Sequence, residues 1–294
     1  MSESVNVAPE VQSQADPPAQ KPHWSISQMG MYFSCGHKYK LWYLEGQKFP
    51  SGLAALKGTG MHKAAEVNFK NVLATGEALA TPEIIAAAIE GFESRLAKDG
   101  ITLTDDEASL GVDIAVGHAK DDVVNLAGAF SVYQARAYVP KHVEKFVRIP
   151  VPRGSHDLLG VLDLVTADDE VVDFKTSKRR KSSFSAAESL QLTMYAAGHA
   201  VAFGKPAKDV RLDILVQTSK GVQRQVQIDH RDQKDFQVLA NRINMMDQGL
   251  KAGVFLPAAP GDWSCSAAWC PFFTRGCIYV NADRVAAAKA AEAE

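Results

Sequence analysis

The chain has 294 residues, 46% of them hydrophobic and 22% charged, and a formal net charge of −2. That length holds one large domain or two small ones around a sizeable core, and the near-neutral charge excludes a protein that coats nucleic acid indiscriminately, leaving only local basic patches for such contacts. No apolar run approaches the ~20 residues that cross a bilayer, and the N-terminal stretch lacks a basic region followed by an apolar one, so a cytoplasmic protein without a membrane partner is expected.

Residues 1–22 are rich in Pro, Gln, Ser and Ala and read as a disordered leader. Ser25 or Ser27 then caps a helix through Met29, Tyr32 and Phe33. Cys35 follows, and after it the segment KYKLWYLEG, whose aromatics are expected to pack inward while Lys38 and Lys40 stay wet. The alternative there is interleaved phosphate contacts and base stacking. Lys57-Gly58-Thr59-Gly60 reads as the flexible entry to a helix from about Met61 to Ala74, on which His62 and Glu66 share a face. Ala-rich helices over about 82–98 and 104–138, with a break near Gly117, carry no recognisable chemistry and read as a helical insertion (about 82–138).

A strand over 141–150, with Val143, Phe146, Val147 and Ile149 as core candidates, leads into the most informative stretch, LLGVLDLVTADDEVVDFK. It reads as two apolar strands, Leu158 to Thr166 and Val171 to Lys175, around an acidic turn. Asp163, Asp173 and Lys175 lie inside those runs, and buried carboxylates need a partner, a metal or a proton. If the turn is odd and centred on Asp168, Asp163 stands opposite Asp173, and two carboxylates and an amine converge. That arrangement suits a divalent cation holding a phosphate, with a lysine beside the attacking water.

Lys178-Arg179-Arg180-Lys181 follows at once and reads as a salt-sensitive clamp on a DNA backbone. A helix from Ser185 to about Phe203 presents Leu190, Met194, Ala197 and Val201 to a sheet and carries Gln191 and Tyr195 four apart. Strands over 210–217 and 222–228 and a helix over about 231–253 complete the core. The chain ends in a segment with three cysteines, 263–277, and an Ala/Glu-rich tail over 281–294.

The ordered set Gly60-x-His62-x-x-x-Glu66, Gly160-x-x-Asp163, Asp173-x-Lys175 and Gln191-x-x-x-Tyr195 resembles the PD-(D/E)XK nuclease superfamily, and within it the RecB-type branch. The resemblance implies an α/β, restriction-endonuclease-like mixed sheet flanked by helices, forming one nuclease domain over 23–280. It makes His62, Asp163, Asp173 and the Phe174 carbonyl the metal ligands, for Mg²⁺ or Mn²⁺. Lys175 would orient the water, Gln191 and Tyr195 would position the lysine and the phosphate, and Glu66 and Glu144 would be helpers.

Four cysteines in a cytosolic chain suggest metal binding or plain core residues before disulfides. Cys35 upstream and Cys265, Cys270 and Cys277 downstream resemble the iron–sulfur members of that branch, the AddB-type and CRISPR-associated adaptation nucleases. Those hold a [4Fe–4S] cluster on one cysteine before the core and three after it. The spacing here, C-x4-C-x6-C, departs from the commoner C-x2-C-x5-C, and Zn²⁺ is the other candidate. The implied activity is DNA phosphodiester hydrolysis, exonucleolytic on single strands or duplex ends, in recombination, repair or phage- and CRISPR-related processing. The alternative is a catalytically silent DNA-binding module on the same fold. No helicase motif is present, so a helicase or recombination partner would be a separate protein.

Overall fold

The computed structural model of the chain describes residues 21–152, 154–267, 269–281, 283, 286, 287 and 290, so nearly all of the expected leader and most of the tail lie outside the described residues. The elements run β1 (His23–Ser25), α1 (Ile26–Ser34), α2 (Gly36–Tyr39), a π-helical turn (Lys40–Leu44), α3 (Leu53–Thr75), α4 (Thr81–Asp99), α5 (Asp105–Ser109) and α6 (Val112–Tyr133). They continue as β2 (Pro140–Ile149), β3 (Asp157–Thr166), β4 (Val171–Ser177), α7 (Leu190–Phe203), β5 (Val210–Thr218), β6 (Gly221–Asp229) and α8 (Gln233–Lys251).

The six strands form one mixed sheet. Along one edge β3 pairs antiparallel with β2. Its other edge is shared: β1 pairs parallel at one end, His23↔Asp157 to Ser25↔Leu159, and β4 pairs antiparallel at the other, Leu164↔Val172 and Val165↔Val171. Beyond β4 come β5, parallel to it, and β6, antiparallel to β5. The sheet therefore forks along β3, and Gly160 to Asp163 lie in the fork.

Each face of the sheet carries its own core. On one side Leu158, Leu162, Val165, Val171, Leu212 and Ile214 pack with Met194 and Leu192 of α7 and with Leu239 and Ile243 of α8. On the other, Leu164, Val172, Phe174 and Leu215 meet α3, α4 and α6 through Phe69, Phe92 and Phe130. The expected insertion is thus the second helical layer of the sheet. Leu162 and Leu164, two apart and so expected on one face, lie in opposite cores, which places a break of alternation at Asp163.

Several local expectations are corrected. α3 begins at Leu53, well before Met61, so Gly58 and Gly60 are helix interior rather than a flexible entry. Gly60 is there because α4 crosses it closely: a Cβ would stand 2.5 Å from the Ala88 carbonyl oxygen. Between α5 and α6 the chain breaks at Gly111, at φ +88°, and not at Gly117. α7 starts at Leu190 rather than Ser185, and Val201 is 51% exposed because the helix is already wrapped on its other sides by the sheet, α1 and α8. Phe146 is 58% exposed, since alternation along β2 sends it to the face opposite Val147 and Ile149.

The two α3 glycines give opposite predictions. Gly58→Ala meets nothing within 4 Å and should stabilise by up to ~1 kcal/mol through helix propensity. Gly60→Ala drives a methyl group into a backbone oxygen and should destabilise by roughly 1–3 kcal/mol. Urea unfolding of both variants checks the pair.

Candidate functional site

The β3–β4 hairpin turns on three residues, Ala167 to Asp169, with Thr166 N–H donating to Glu170 O at 2.9 Å and Asp169 in the left-handed region at φ +61°. This is a type I turn followed by a left-handed residue. The odd turn gives the register in which Asp163 faces Asp173, the next position after Leu164↔Val172. At that position the ladder stops. Instead the Asp163 carboxylate accepts from the Phe174 N–H at 3.0 Å, so a side chain replaces the strand-to-strand bond.

On the other edge of β3 the pairing also skips Asp163, running from Val143↔Leu164 to Lys145↔Leu162. The residue skipped on β2 is Glu144, held at φ +50°. A non-glycine residue in that region costs of order 1 kcal/mol or more and signals a constraint. Here its result is that Glu144 joins the site: one ligand atom each from His62, Glu144 and Asp163 lie within 4.8 Å of one another. His62 Nδ1 stands 3.3 Å from Asp163 Oδ2.

Asp173 is fully buried, with Oδ1 accepting from Lys175 Nζ at 2.8 Å. Its Oδ2 has no hydrogen-bond partner among the described residues. A desolvated carboxylate oxygen without a partner is costly and marks the place of a cation or proton. Burial pushes the carboxyls of both Asp163 and Asp173 up, and at Asp173 the facing Asp163 adds to the rise. Burial, with Asp163 and Glu66 nearby, pushes Glu144 up to about 7. Burial, followed by the Lys175 charge, lowers His62, favouring the neutral imidazole a metal requires. His62, Glu144 and Asp163 form a donor set that fits Mg²⁺ or Mn²⁺; Asp173, expected among the ligands, lies outside that group and faces it across the fork.

α7 closes the site from the sheet side. Gln191 Nε2 donates to Tyr195 Oη at 2.8 Å, and burial plus the Asp163 and Asp173 charges raise the Tyr195 hydroxyl, keeping it a neutral donor. Gly160 lets α7 approach: a Cβ there would meet the Met194 Cε at 2.4 Å and Tyr195 Cε1 at 3.8 Å. Glu66 is turned aside, held by Lys63 at 3.3 Å and Lys70 at 2.5 Å, while Glu144 sits with the ligands. Phe174 buries its ring between Phe69 and Phe130. A cavity of about 470 Å³ between α3 and α4 has His62 and Glu144 at its wall and Lys63, Arg95 and Lys98 around it. Nothing in the sequence flagged the last two cations, which are spaced three apart on a helix that otherwise reads as structural.

The PD-(D/E)XK nuclease superfamily matches residues 23–275 of the chain. The chain belongs to that superfamily. No curated protein sequence matches it. Among solved structures, one described as a "Putative exonuclease" from Eubacterium rectale aligns over 88% of this chain and 92% of its own, at 11% identity and a TM-score of 0.49. The protein SSO0001 aligns over 83% and 94%, at 15% identity and a TM-score of 0.34. No helix among the described residues of this nuclease-superfamily chain is long and apolar enough to cross a membrane.

All four cysteines line one cavity of about 230 Å³, with Leu41 and Phe272 beside them. Cys35 reaches it because Gly36 packs against the backbone of Phe255 and Leu256, where a Cβ would come within 2.9 Å. Burial pushes the Cys270 thiol up, with Cys35 and Cys277 near enough to contribute. The aromatic segment follows the inward-packing reading: Tyr39 is buried, Trp42 contacts Phe49 and Phe272, and Lys48 lies 4.1 Å from the Tyr43 ring centroid. Lys178 to Lys181 form an exposed loop after β4.

The raised carboxylates dictate a pH dependence. Folding raises their affinity for protons, so their contribution is most favourable below the ordinary carboxylate range and is lost as pH rises through the raised values. Without divalent cations, Asp173→Asn should therefore gain thermal stability relative to the parent between about pH 5 and pH 8. Mn²⁺ should raise the parent's Tm near pH 8 and have little effect near pH 5, where protons compete for the ligands. Asp163→Asn should lose that rise. Thermal scanning across the pH series checks all three outcomes.

Proposed function

We propose that this chain is a divalent-metal-dependent deoxyribonuclease of the RecB-type branch, an exonuclease acting on single strands or duplex ends, with a [4Fe–4S] cluster on its four cysteines. The observation that carries the catalytic reading is the buried Asp163–Asp173 pair across the fork, with an unpartnered Asp173 oxygen and the Lys175 amine 2.8 Å from its twin. His62, Glu144, Asp163, Asp173 and the Phe174 carbonyl would hold the cation. When bound, that ion would activate a water and neutralise charge on the scissile phosphate.

The remaining work falls to the chain. Lys175, tethered by Asp173, presents its amine where it can orient the nucleophile and offset charge growing on the phosphate oxygens. The neutral Tyr195 hydroxyl, fixed by Gln191, faces the same carboxylates and offers a donor toward a bound phosphate. On the cavity beside His62, Lys63 and Arg95 are paired with Glu66 and Asp99, which leaves Lys98 to meet a DNA backbone there.

Support for the cluster comes from the cysteine cavity. Four thiols from opposite ends of the domain line a space of about 230 Å³, several times the ~30 Å³ share of one water. That is room for a multi-atom group and more than a single Zn²⁺ needs.

Incubation with end-labelled linear and circular DNA, single- and double-stranded, with each metal tests the activity. Linear substrates should be degraded from their ends and circles spared. Lys175→Ala should lower the rate by about 10²–10⁴ and, by taking the counter-charge from buried Asp173, also lower Tm near pH 8. Binding without cleavage of any substrate would leave a catalytically silent DNA-binding module.

The cysteines give a separate test, because their group would act as a staple and not in the chemistry. Cys265→Ser or Cys270→Ser should bleach a brown protein, remove its iron and lower its Tm, whereas Lys175→Ala keeps colour and iron. Anaerobically prepared parent protein with neither iron nor zinc, and as stable as Cys265→Ser, would end the cluster reading and leave the nuclease reading standing.

A further inference from the structure

A further cavity, of about 630 Å³, lies between the end of β4, the Lys178–Lys181 loop and the cysteine-bearing C-terminal segment. That volume falls within the ~300–1,000 Å³ typical of ligand clefts. Its charge comes from one source. Lys57, on its wall, is buried and bound to Asp122 at 2.6 Å, so it contributes a neutral pair. Lys178, Arg179 and Lys181 are exposed and make no ion pair among the described residues.

The loop that carries them is nonetheless fixed. Ser177 Oγ donates to Arg179 O at 2.6 Å, and Lys181 exchanges backbone bonds with the Gln225 amide, both at 2.9 Å. A backbone pinned at both ends, with unpaired cations projecting from it, is arranged for an anion.

The opposite wall is aromatic. Trp269, 61% exposed, lines this cavity from the segment between Cys265 and Cys270. Its neighbour Trp263 stands edge-on at 5.2 Å, and Lys38 Nζ donates to the Trp269 carbonyl at 3.2 Å, tying the segment to α2. An exposed indole that two neighbours hold in place is a stacking platform. A duplex keeps its bases stacked on one another, so only an unpaired strand offers a base to that ring while its phosphates meet the loop.

Thr176 connects this cavity to the chemistry. It lines both the 630 Å³ cavity and the small pocket beside His62 and Lys175. We propose that the cavity seats single-stranded DNA, with Trp269 stacking on a base and Lys178, Arg179 and Lys181 holding the backbone that runs on past Thr176 to Lys175. The direction of the strand toward Lys175 rests on the nuclease reading above; the seat itself does not.

The test is fluorescence anisotropy of a labelled oligo-dT in EDTA, which separates binding from cleavage. Trp269→Ala should weaken binding about 5- to 150-fold, since a base–aromatic stack is worth ~1–3 kcal/mol, and should leave the salt slope unchanged. Trp269→Phe should recover most of the loss. Lys178→Ala/Arg179→Ala should weaken binding and reduce the slope of log K against log salt by about 1.4, two single-strand contacts at ~0.7 each. Equal binding by Trp269→Ala and the parent, or by the double variant and the parent at low salt, would overturn the proposal. So would tenfold tighter binding of a duplex or of oligo-U in competition. A chain that cleaves DNA but ignores these substitutions refutes the seat alone. A chain that shows them but cleaves nothing refutes the nuclease reading alone.

Discussion

Two carboxylates removed from water and set face to face constrain most of this molecule. Asp163 and Asp173 repel each other, and burial makes the charged form of each expensive, so the pair stands only with a counter-charge supplied or a proton retained. The chain supplies part of the compensation itself, through the Lys175 amine on Asp173 and the Phe174 N–H on Asp163. One Asp173 oxygen remains unanswered. A hydrophobic pair at these positions would pack and pair as an ordinary hairpin, so the site departs from what stability alone would select.

The fork in the sheet gives those side chains room. A continuous ladder would hold β4 against β3 at about 4.8 Å and close the space between the acids. Pairing ends at Leu164↔Val172, and the strand partner at the far end of the same edge is β1, with Gly160 to Asp163 between. Glu144 interrupts the ladder on the opposite edge at the same level. The helices fix this arrangement from both faces. Gly160 admits Met194 and Tyr195 of α7, and the close Gly60–Ala88 approach packs α3, which carries His62, against α4. The glycines of the two motifs thus serve approach rather than flexibility.

How much of this the sequence disclosed follows from how local each cause is. The hairpin register was legible because it depends on a turn of countable length and on two strands whose alternation marks their faces. His62, Gln191 and Tyr195 could be named because the ordered motif set resembles the superfamily's pattern; helical spacing alone paired His62 with Glu66, which Lys63 and Lys70 turn aside. Glu144 could be named only as a helper, since no short-range signal announces a non-glycine residue at φ +50°; its conformation is imposed by neighbours on β3 and α3. The fork was invisible for the same reason: β1 is three residues long, and its place beside β3 is a tertiary fact. The start of α3 was misjudged because propensity reads Gly58 and Gly60 as breakers, whereas packing against α4 overrides propensity.

The C-terminal segment raises a different physical question, namely what holds it. From Pro257 to Val280 the described chain has turns and no helix or strand, so its backbone gains none of the cooperative bonding that fixes the core. Its buried apolar anchors are Phe272 and Phe273, the first packed on Trp42 and Phe49. Two aromatic side chains contribute a few kcal/mol, against a backbone ordering cost of roughly 1–2 kcal/mol per residue. Such a segment leans on further anchors, among them the Lys38 amine, which donates to the Trp269 carbonyl at 3.2 Å and ties it to α2. All four cysteines line one cavity, where the segment meets Cys35 from ahead of the core. Trp269 lies between Cys265 and Cys270, so the wall that faces the basic loop depends on the contacts that hold this segment, the Lys38 bond to its carbonyl and Trp263 against its ring.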